Sequence, residues 1–198
     1  LIKRLLGYAG PFRWYRHHQS HAASAFYASG FEAAAVLTVD GVGELTTTGY
    51  WRAGPTGLEL LEEVVYPNSL GLLYSTFTAY LGFSVNDSEY KVMGLAPYGR
   101  PRLLDRLRRL IHVGAAGQFR LDMDYFAFPE GARMWTDRVE PLLGHPPRRP
   151  GDPLDEFHAD VASSVQTLLE EVLLSKTRYL HELVPDDPAD REEVAAEG

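Results

Sequence analysis

Three β-rich segments follow one another without a long break: AAAVLTVDG, LTTTGYWRA and LELLEEVVYP, together spanning residues 33–67. DGVG falls between the first two and GPTG between the second two. Both are turn signals, because Gly, Asp and Pro supply the backbone angles that tight reversals need. Parallel neighbours would require a crossover of about a dozen residues or more, which these joints cannot supply. The expectation is a three-stranded antiparallel meander with DGVG and GPTG as its turns.

Helical patterns surround the meander. Upstream, FRWYRHH (residues 12–18) is aromatic and strand-like and runs into SHAASAFYASG, whose composition is helical, with Ser20 as candidate N-cap and Gly30 as its stop. Downstream, Asn68 or Ser69 can cap a helix through LGLLYSTFTAYLGF, and PRLLDRLRRLIHV places Leu103, Leu104, Leu107, Leu110 and Ile111 on one helical face. GQFRLDMDYFAF reads as a further strand pair, residues 146–153 (PPRRPGDP) as an internal loop or linker, and LDEFHADVASSVQTLLEEVLLSKTRYLHEL as a long amphipathic helix. The fold class is therefore α/β, and no internal repeat is visible.

Composition excludes several classes of partner. The 198 residues, 45% of them hydrophobic, can bury a sizeable core in one domain or two small lobes. A formal net charge of −8 repels nucleic acid and anionic membrane surfaces, and no Lys/Arg stripe interleaved with aromatics reverses this locally. No apolar run approaches the roughly 18 residues of a membrane span, and the first residues are too short and interrupted for a signal peptide. Cysteine is absent, which agrees with a reducing cytoplasm and leaves only N and O ligands for any metal.

The chemistry concentrates in HHQSHAAS, His17 to Ser24, where three of the chain's 7 histidines fall within five positions. If the segment is helical there, His17 and His21 project from one face and can converge on an ion, while His18 points elsewhere. For such a pair on its own, a capping or core role is as well supported as metal binding. Asp40 adds a third ligand, because it ends an apolar strand at a glycine-rich turn, where a carboxylate stands beside backbone N–H groups. Two imidazoles and one carboxylate leave open coordination positions, a set that suits Fe(II) and also admits Zn or Mn. Gly41 and Gly43 let the same backbone come close to a phosphate. In NDSEYKVMGLAPYG (residues 86–99), Lys91 can meet a phosphate as a point charge in a substrate loop, or form an ordinary surface pair with Glu89. The residues alone stop short of a reaction.

Four segments, HHQSHAASAFYASGFEAAAVLTVDGVGE, SLGLLYSTFTAYLGF, SEYKVMGLAPYG and HADVASSVQTLLEE, resemble in this order the O-carbamoyltransferases of nodulation factors and antibiotics, over residues 14–183. The transferase domain of that family is similar to the tRNA threonylcarbamoyl transferases, within the RNase-H-like superfamily of actin, sugar kinases and Hsp70. The resemblance implies that His17, His21 and Asp40 hold a metal, and that the turn with Gly41 and Gly43 lies against the phosphate of a carbamoyl donor. It implies ATP-dependent transfer from carbamoyl phosphate, by way of carbamoyl-adenylate, to a hydroxyl of a small sugar-containing or natural-product acceptor. His18 is the candidate to accept that hydroxyl's proton, since imidazole titrates near neutrality, with a hydrogen bond to backbone as its alternative role.

Family members start with a strand pair before the histidine motif, continue past the long helix into a Gly-Gly nucleotide-binding segment, and carry a separate carbamoyl-adenylate-forming domain. By that comparison residues 1–198 read as the middle of a transferase domain, expected to be inactive alone and to pair with itself through uncovered edges. Two other readings stay open. One is a metal-dependent ATPase or phosphotransferase of the same superfamily, sharing the Asp-Gly turn. The other is a truncated, non-catalytic remnant that binds metal or a partner chain.

Overall fold

The computed structural model describes residues 2–114, 117–131 and 133–185. A short α1 (Ile2–Leu6) and α2 (His17–Ser29) precede the meander of β1 (Ala34–Gly43), β2 (Thr46–Gly54) and β3 (Gly57–Val65), which pair antiparallel in the order β1-β2-β3. Side chains alternate across the sheet as strand geometry demands. Val36, Trp51 and Ala53 face α2 and meet its Ala22 and Phe26, four residues apart on one helical face. Leu37 and Tyr50 face the other way, into the main core. The central strand is covered on both sides, so its run Thr47–Trp51 is buried throughout despite its hydroxyls.

The main core is built by α3 (Leu70–Tyr80) and α7 (Glu156–Leu183). Leu70, Leu73 and Phe77 of α3 meet the sheet together with Val161, Val165, Leu168 and Val172 of α7, a spacing of three, four and seven that keeps one face apolar. Burying one phenylalanine such as Phe77 contributes about 1.5–3 kcal/mol. A reciprocal capping box starts α7: the Asp155 carboxylate accepts the His158 N–H at 3.2 Å, and His158 Nδ1 accepts the Asp155 N–H at 3.2 Å. Between them lie α4 (Glu89–Leu95), α5 (Leu104–Leu107), the two-stranded β4 (Ile111–Val113) and β5 (Phe119–Leu121), and α6 (Val139–Leu143). No described helix is long and apolar enough to cross a membrane.

Several expected elements form differently. FRWYRHH is not a strand: residues 11–16 are irregular, Trp14 and Tyr15 are exposed, and the helix begins at His17 rather than after Ser20. The alternating aromatics there have no buried face to serve, and Ser20 instead donates back to the Arg16 carbonyl at 3.1 Å. Gly30 does end the helix, at φ +79°.

DGVG is not the first turn either. The ladder pairs Val39 with Thr48 and then Gly43 with Thr46, so residues 40–42 stand opposite Thr47 alone as a bulge, and the chain reverses at Glu44–Leu45. The second turn, Pro55–Thr56 within GPTG, is as expected.

PRLLDRLRRLIHV yields one α-helical turn and a 3-10 turn (Arg108–Leu110) before Ile111–Val113 becomes β4, because β5 supplies a partner for a segment flanked by the β-branched Ile111 and Val113. GQFRLDMDYFAF accordingly gives β5 but not its own partner, since Asp122 accepts the Asp124 N–H at 3.1 Å and starts a 3-10 turn. Residues 89–95 are helical, not a loop. Residues 146–153 carry neither helix nor strand and are tied to the core where Arg148 Nε donates to the Leu81 carbonyl at 2.6 Å.

Candidate metal centre

The first turn of α2 lies over the bulged end of β1. Helical spacing brings His17 and His21 to one face, and the bulge turns Asp40 towards them. His17 Nε2 lies 2.7 Å from Asp40 Oδ2 and 2.9 Å from His21 Nε2, which is itself 3.3 Å from the same oxygen. These three are the group of potential ligands that the fold brings together among the described residues. Two ring nitrogens facing each other at hydrogen-bond distance can share one proton at most. With the carboxylate they concentrate lone pairs on a single point, which is what a divalent cation neutralises. The side chains are 45%, 54% and 34% exposed, so an ion can reach them from solvent.

The carboxylate is held from behind. Gly41 N–H donates to Asp40 Oδ1 at 2.6 Å, leaving Oδ2 for the histidines. Burial pulls the Asp40 pKa upward, but the Gly41 N–H and the neighbouring His17 and His21 outweigh it and leave the carboxyl below its ordinary range. A carboxyl held low in this way favours the anion that a metal ligand must be.

His18 has a different environment. Its ring is 2% exposed, Nδ1 is 2.8 Å from Thr38 Oγ1, and that hydroxyl also accepts the Trp51 indole N–H at 3.0 Å. Burial lowers its pKa, with Asp40 and the Thr46 backbone acting in the opposite direction. A ring so enclosed packs α2 on the sheet and makes its closest hydrogen bond to the Thr38 side chain.

The glycines divide the same way. A Cβ on Gly43 would overlap the His17 ring and come within 2.7 Å of His18 Cδ2, so imidazoles fill that side of Gly43. Gly41 has nothing near its missing Cβ and lines a cleft of about 710 Å³ with Asp40, Gly71, Ser75, Asn86 and Glu89. Lys91 lies outside that cleft, exposed on α4, with its Nζ 5.9 Å from the Phe83 ring centre and 5.7 Å from that of Tyr90. Its surface pair with Glu89 does not form: Glu89 instead accepts from Ser75 Oγ at 2.8 Å and the Asn86 N–H at 2.9 Å.

Sequence reasoning missed two parts of this region. Glu89 lines the cleft from the first position of α4. Tyr15, Ser20 and Glu44 line a second, shallower cavity of about 370 Å³ on the other side of His17 and His21. Nothing in their spacing marks them, although Glu44 takes φ +65° directly after Gly43.

Comparison with known proteins finds relatives over most of the chain. The family model described as carbamoyltransferase N-terminus matches residues 7–196. An uncharacterized protein of Synechocystis sp. is 47% identical over 173 residues, covering 87% of this chain and 28% of its own. Nodulation protein NolO of Bradyrhizobium diazoefficiens is 40% identical over 167 residues, covering 82% of this chain and 28% of its own. Nodulation protein NolNO of Sinorhizobium fredii is 37% identical over 175 residues, covering 84% and 23%. The chain thus spans about a quarter of the length of these curated relatives.

Proposed function

Because this chain belongs to the carbamoyltransferase family, we propose that it carries the transfer site of an ATP-dependent O-carbamoyltransferase, on an RNase-H-like framework of the kind found in actin, sugar kinases and Hsp70. The carbamoyl group comes from carbamoyl phosphate by way of carbamoyl-adenylate and passes to a hydroxyl of a small, sugar-containing or natural-product acceptor. The observation that carries this reading is the meeting of His17, His21 and Asp40, the last of which also lines a cleft with Gly41.

A divalent ion held by these three side chains, Fe(II) first, with Zn or Mn as alternatives, would polarise the donor carbonyl and offset negative charge developing on oxygen. The open side of Gly41 and the adjoining Leu70–Gly71 end of α3 give a phosphate room to approach backbone N–H groups. Asn86 and Glu89 offer polar partners for hydroxyls further along the same cleft. The acceptor oxygen attacks the carbamoyl carbon and the bond to the AMP oxygen breaks. AMP departs as an anion that needs no proton, and the hydroxyl proton leaves to water, since His18 is enclosed.

The test uses the protein that carries this chain, with carbon-labelled carbamoyl phosphate, ATP and a panel of hydroxylated acceptors. Label recovered on the acceptor with one AMP formed per transfer supports the reading. ATP hydrolysis or phosphoryl transfer with no label on any acceptor would replace it with an ATPase or phosphotransferase. Neither product, with metal still bound, would leave a binding module.

A further inference from the structure

A buried hydroxyl behind the site is hydrogen-bonded to the backbone that carries Asp40. Ser69 is 0% exposed and sits at the N-cap of α3. Its oxygen accepts the Leu72 N–H at 3.0 Å, the ordinary duty of a capping serine. Its one proton is spent elsewhere: Ser69 Oγ donates to the Gly41 carbonyl at 2.6 Å, with the Asp40 carbonyl 3.2 Å away. Residues 40–42 form the bulge, where the β1–β2 ladder offers these carbonyls no regular partner. The serine supplies what the sheet does not.

Two neighbours hold the arrangement at close quarters. A Cβ on Gly71 would stand 2.6 Å from the Gly41 nitrogen and 2.8 Å from the Asp40 carbonyl carbon, so α3 rests on the bulge with no gap between them. Thr47, the residue opposite the bulge, donates to the Asn68 carbonyl at 2.5 Å and so fixes the peptide just before Ser69. The linkage runs from helix cap to bulge carbonyls, from the bulge to the Gly41 N–H, and from that N–H to Asp40 Oδ1 at 2.6 Å, which leaves Oδ2 aimed at His17.

We propose that Ser69 is a positioning residue for the metal carboxylate, coupling the N-terminus of α3 to the aim of Asp40. This rests on the reading of His17, His21 and Asp40 as a metal centre. Hydrogen-bonded supports of metal ligands typically change affinity by about 10–100-fold when removed, and loss of the Ser69 donor should fall in that range although it acts one peptide further back.

The full chain is stripped of metal and titrated with Zn(II) by calorimetry, and with Co(II) by absorption, whose ligand-field bands report coordination geometry. Expected for Ser69→Ala is a Zn(II) affinity lower by about 10–100-fold with altered Co(II) bands, and for Ser69→Thr, which keeps both the cap and the donor, recovery of both. Asp155→Ala removes the cap of α7 and should lower stability without moving metal affinity. If Ser69→Ala does not fold, Ser69→Cys, close in size with a weak S–H donor, carries the same comparison. Wild-type affinity and bands in Ser69→Ala, or an equal loss in Asp155→Ala, overturn the positioning role while the metal centre stands. If the wild type binds Zn(II) with no dependence on His17 or Asp40, the metal reading falls and the inference with it.

Discussion

Two polar clusters share this sheet and are finished in opposite ways. At the bulged end of β1, His17, His21 and Asp40 crowd three electron-rich atoms together in partial contact with solvent. Beyond the opposite face, Lys176 of α7 is 0% exposed, and its Nζ donates to Tyr50 Oη at 2.7 Å and to the Gly117 carbonyl at 3.1 Å, over the Phe119 ring at 4.5 Å. Nearby, Glu62 accepts from Gln118 Nε2 at 2.7 Å and from the Tyr179 hydroxyl. The second cluster is closed by groups the fold itself provides. The first brings acceptor atoms together without a matching set of donors, the balance that a divalent cation bound there, as proposed, would restore. Burial alone therefore does not identify function; the balance of donors and acceptors does.

The difference can be broken from either side. The largest effect should come from the open cluster: His17→Ala, His21→Ala or Asp40→Ala should each reduce metal affinity by more than about 100-fold, beyond the range for supporting residues, whereas His18→Ala keeps the metal. Metal content by mass spectrometry decides it, and stoichiometric metal in His17→Ala would overturn the assignment. Since these side chains are partly exposed, the stability of the metal-free variants should change by less than about 1 kcal/mol.

The closed cluster should behave in reverse. Lys176→Ala leaves a cavity beside Tyr50 and should cost about 2–4 kcal/mol in denaturant unfolding, while Lys176→Met fills the space without the charge and should cost about 1 kcal/mol or less. Neither should touch metal binding.

A pH profile sharpens the same point. Burial pushes the Lys176 amine down to about 8, with Glu62 acting against it. Between about pH 8 and 10 the unfolded chain keeps a proton that the folded one has lost, so this group makes stability rise with pH, by on the order of 2 kcal/mol. Above about pH 10 the slope reverses. There the hydrogen bond to Glu62 holds Tyr179 protonated up to about 12, and burial raises Tyr50 in the same direction. Urea melts across that range should show the rise in wild type and not in Lys176→Met.

The smallest effect belongs to Lys91, exposed on α4 and outside the cleft. Lys91→Met should change stability by about 0.5 kcal/mol or less, and carbamoyl transfer by less than about twofold. A tenfold loss of transfer would return it to the donor site.

The parts of this molecule that were legible in the sequence are those set by local pattern. Turn residues and β-rich segments gave the meander, an amphipathic pattern gave α7, Asn68 or Ser69 gave a cap, and the four-residue step from His17 to His21 gave a shared face. The rest depended on partners far along the chain. Nothing within FRWYRHH tells that no neighbouring strand covers it, and nothing within IHV tells that Phe119–Leu121 will pair with it. Asp-Gly marks a reversal in most contexts, yet here the chain runs on for two residues, because Ser69, 29 residues after Asp40, takes the carbonyls that a turn would have used. Nothing in the pattern of α7 marks Lys176, the one lysine of that helix, for burial, which follows only from where Tyr50 and Gly117 arrive.

Gly43 and Gly71 give the centre an unusual fragility. At both, neighbouring atoms already occupy the volume that the smallest side chain would need, imidazole edges at the first and the bulge backbone at the second. A methyl group added at either position is a wedge driven under a ligand: at Gly43 it lifts the histidine turn off the strand, and at Gly71 it levers α3 away from the peptide that carries Asp40. Replacing glycine by alanine is the most conservative exchange by volume, and in this molecule it is the one that most directly pries the two halves of the ligand set apart.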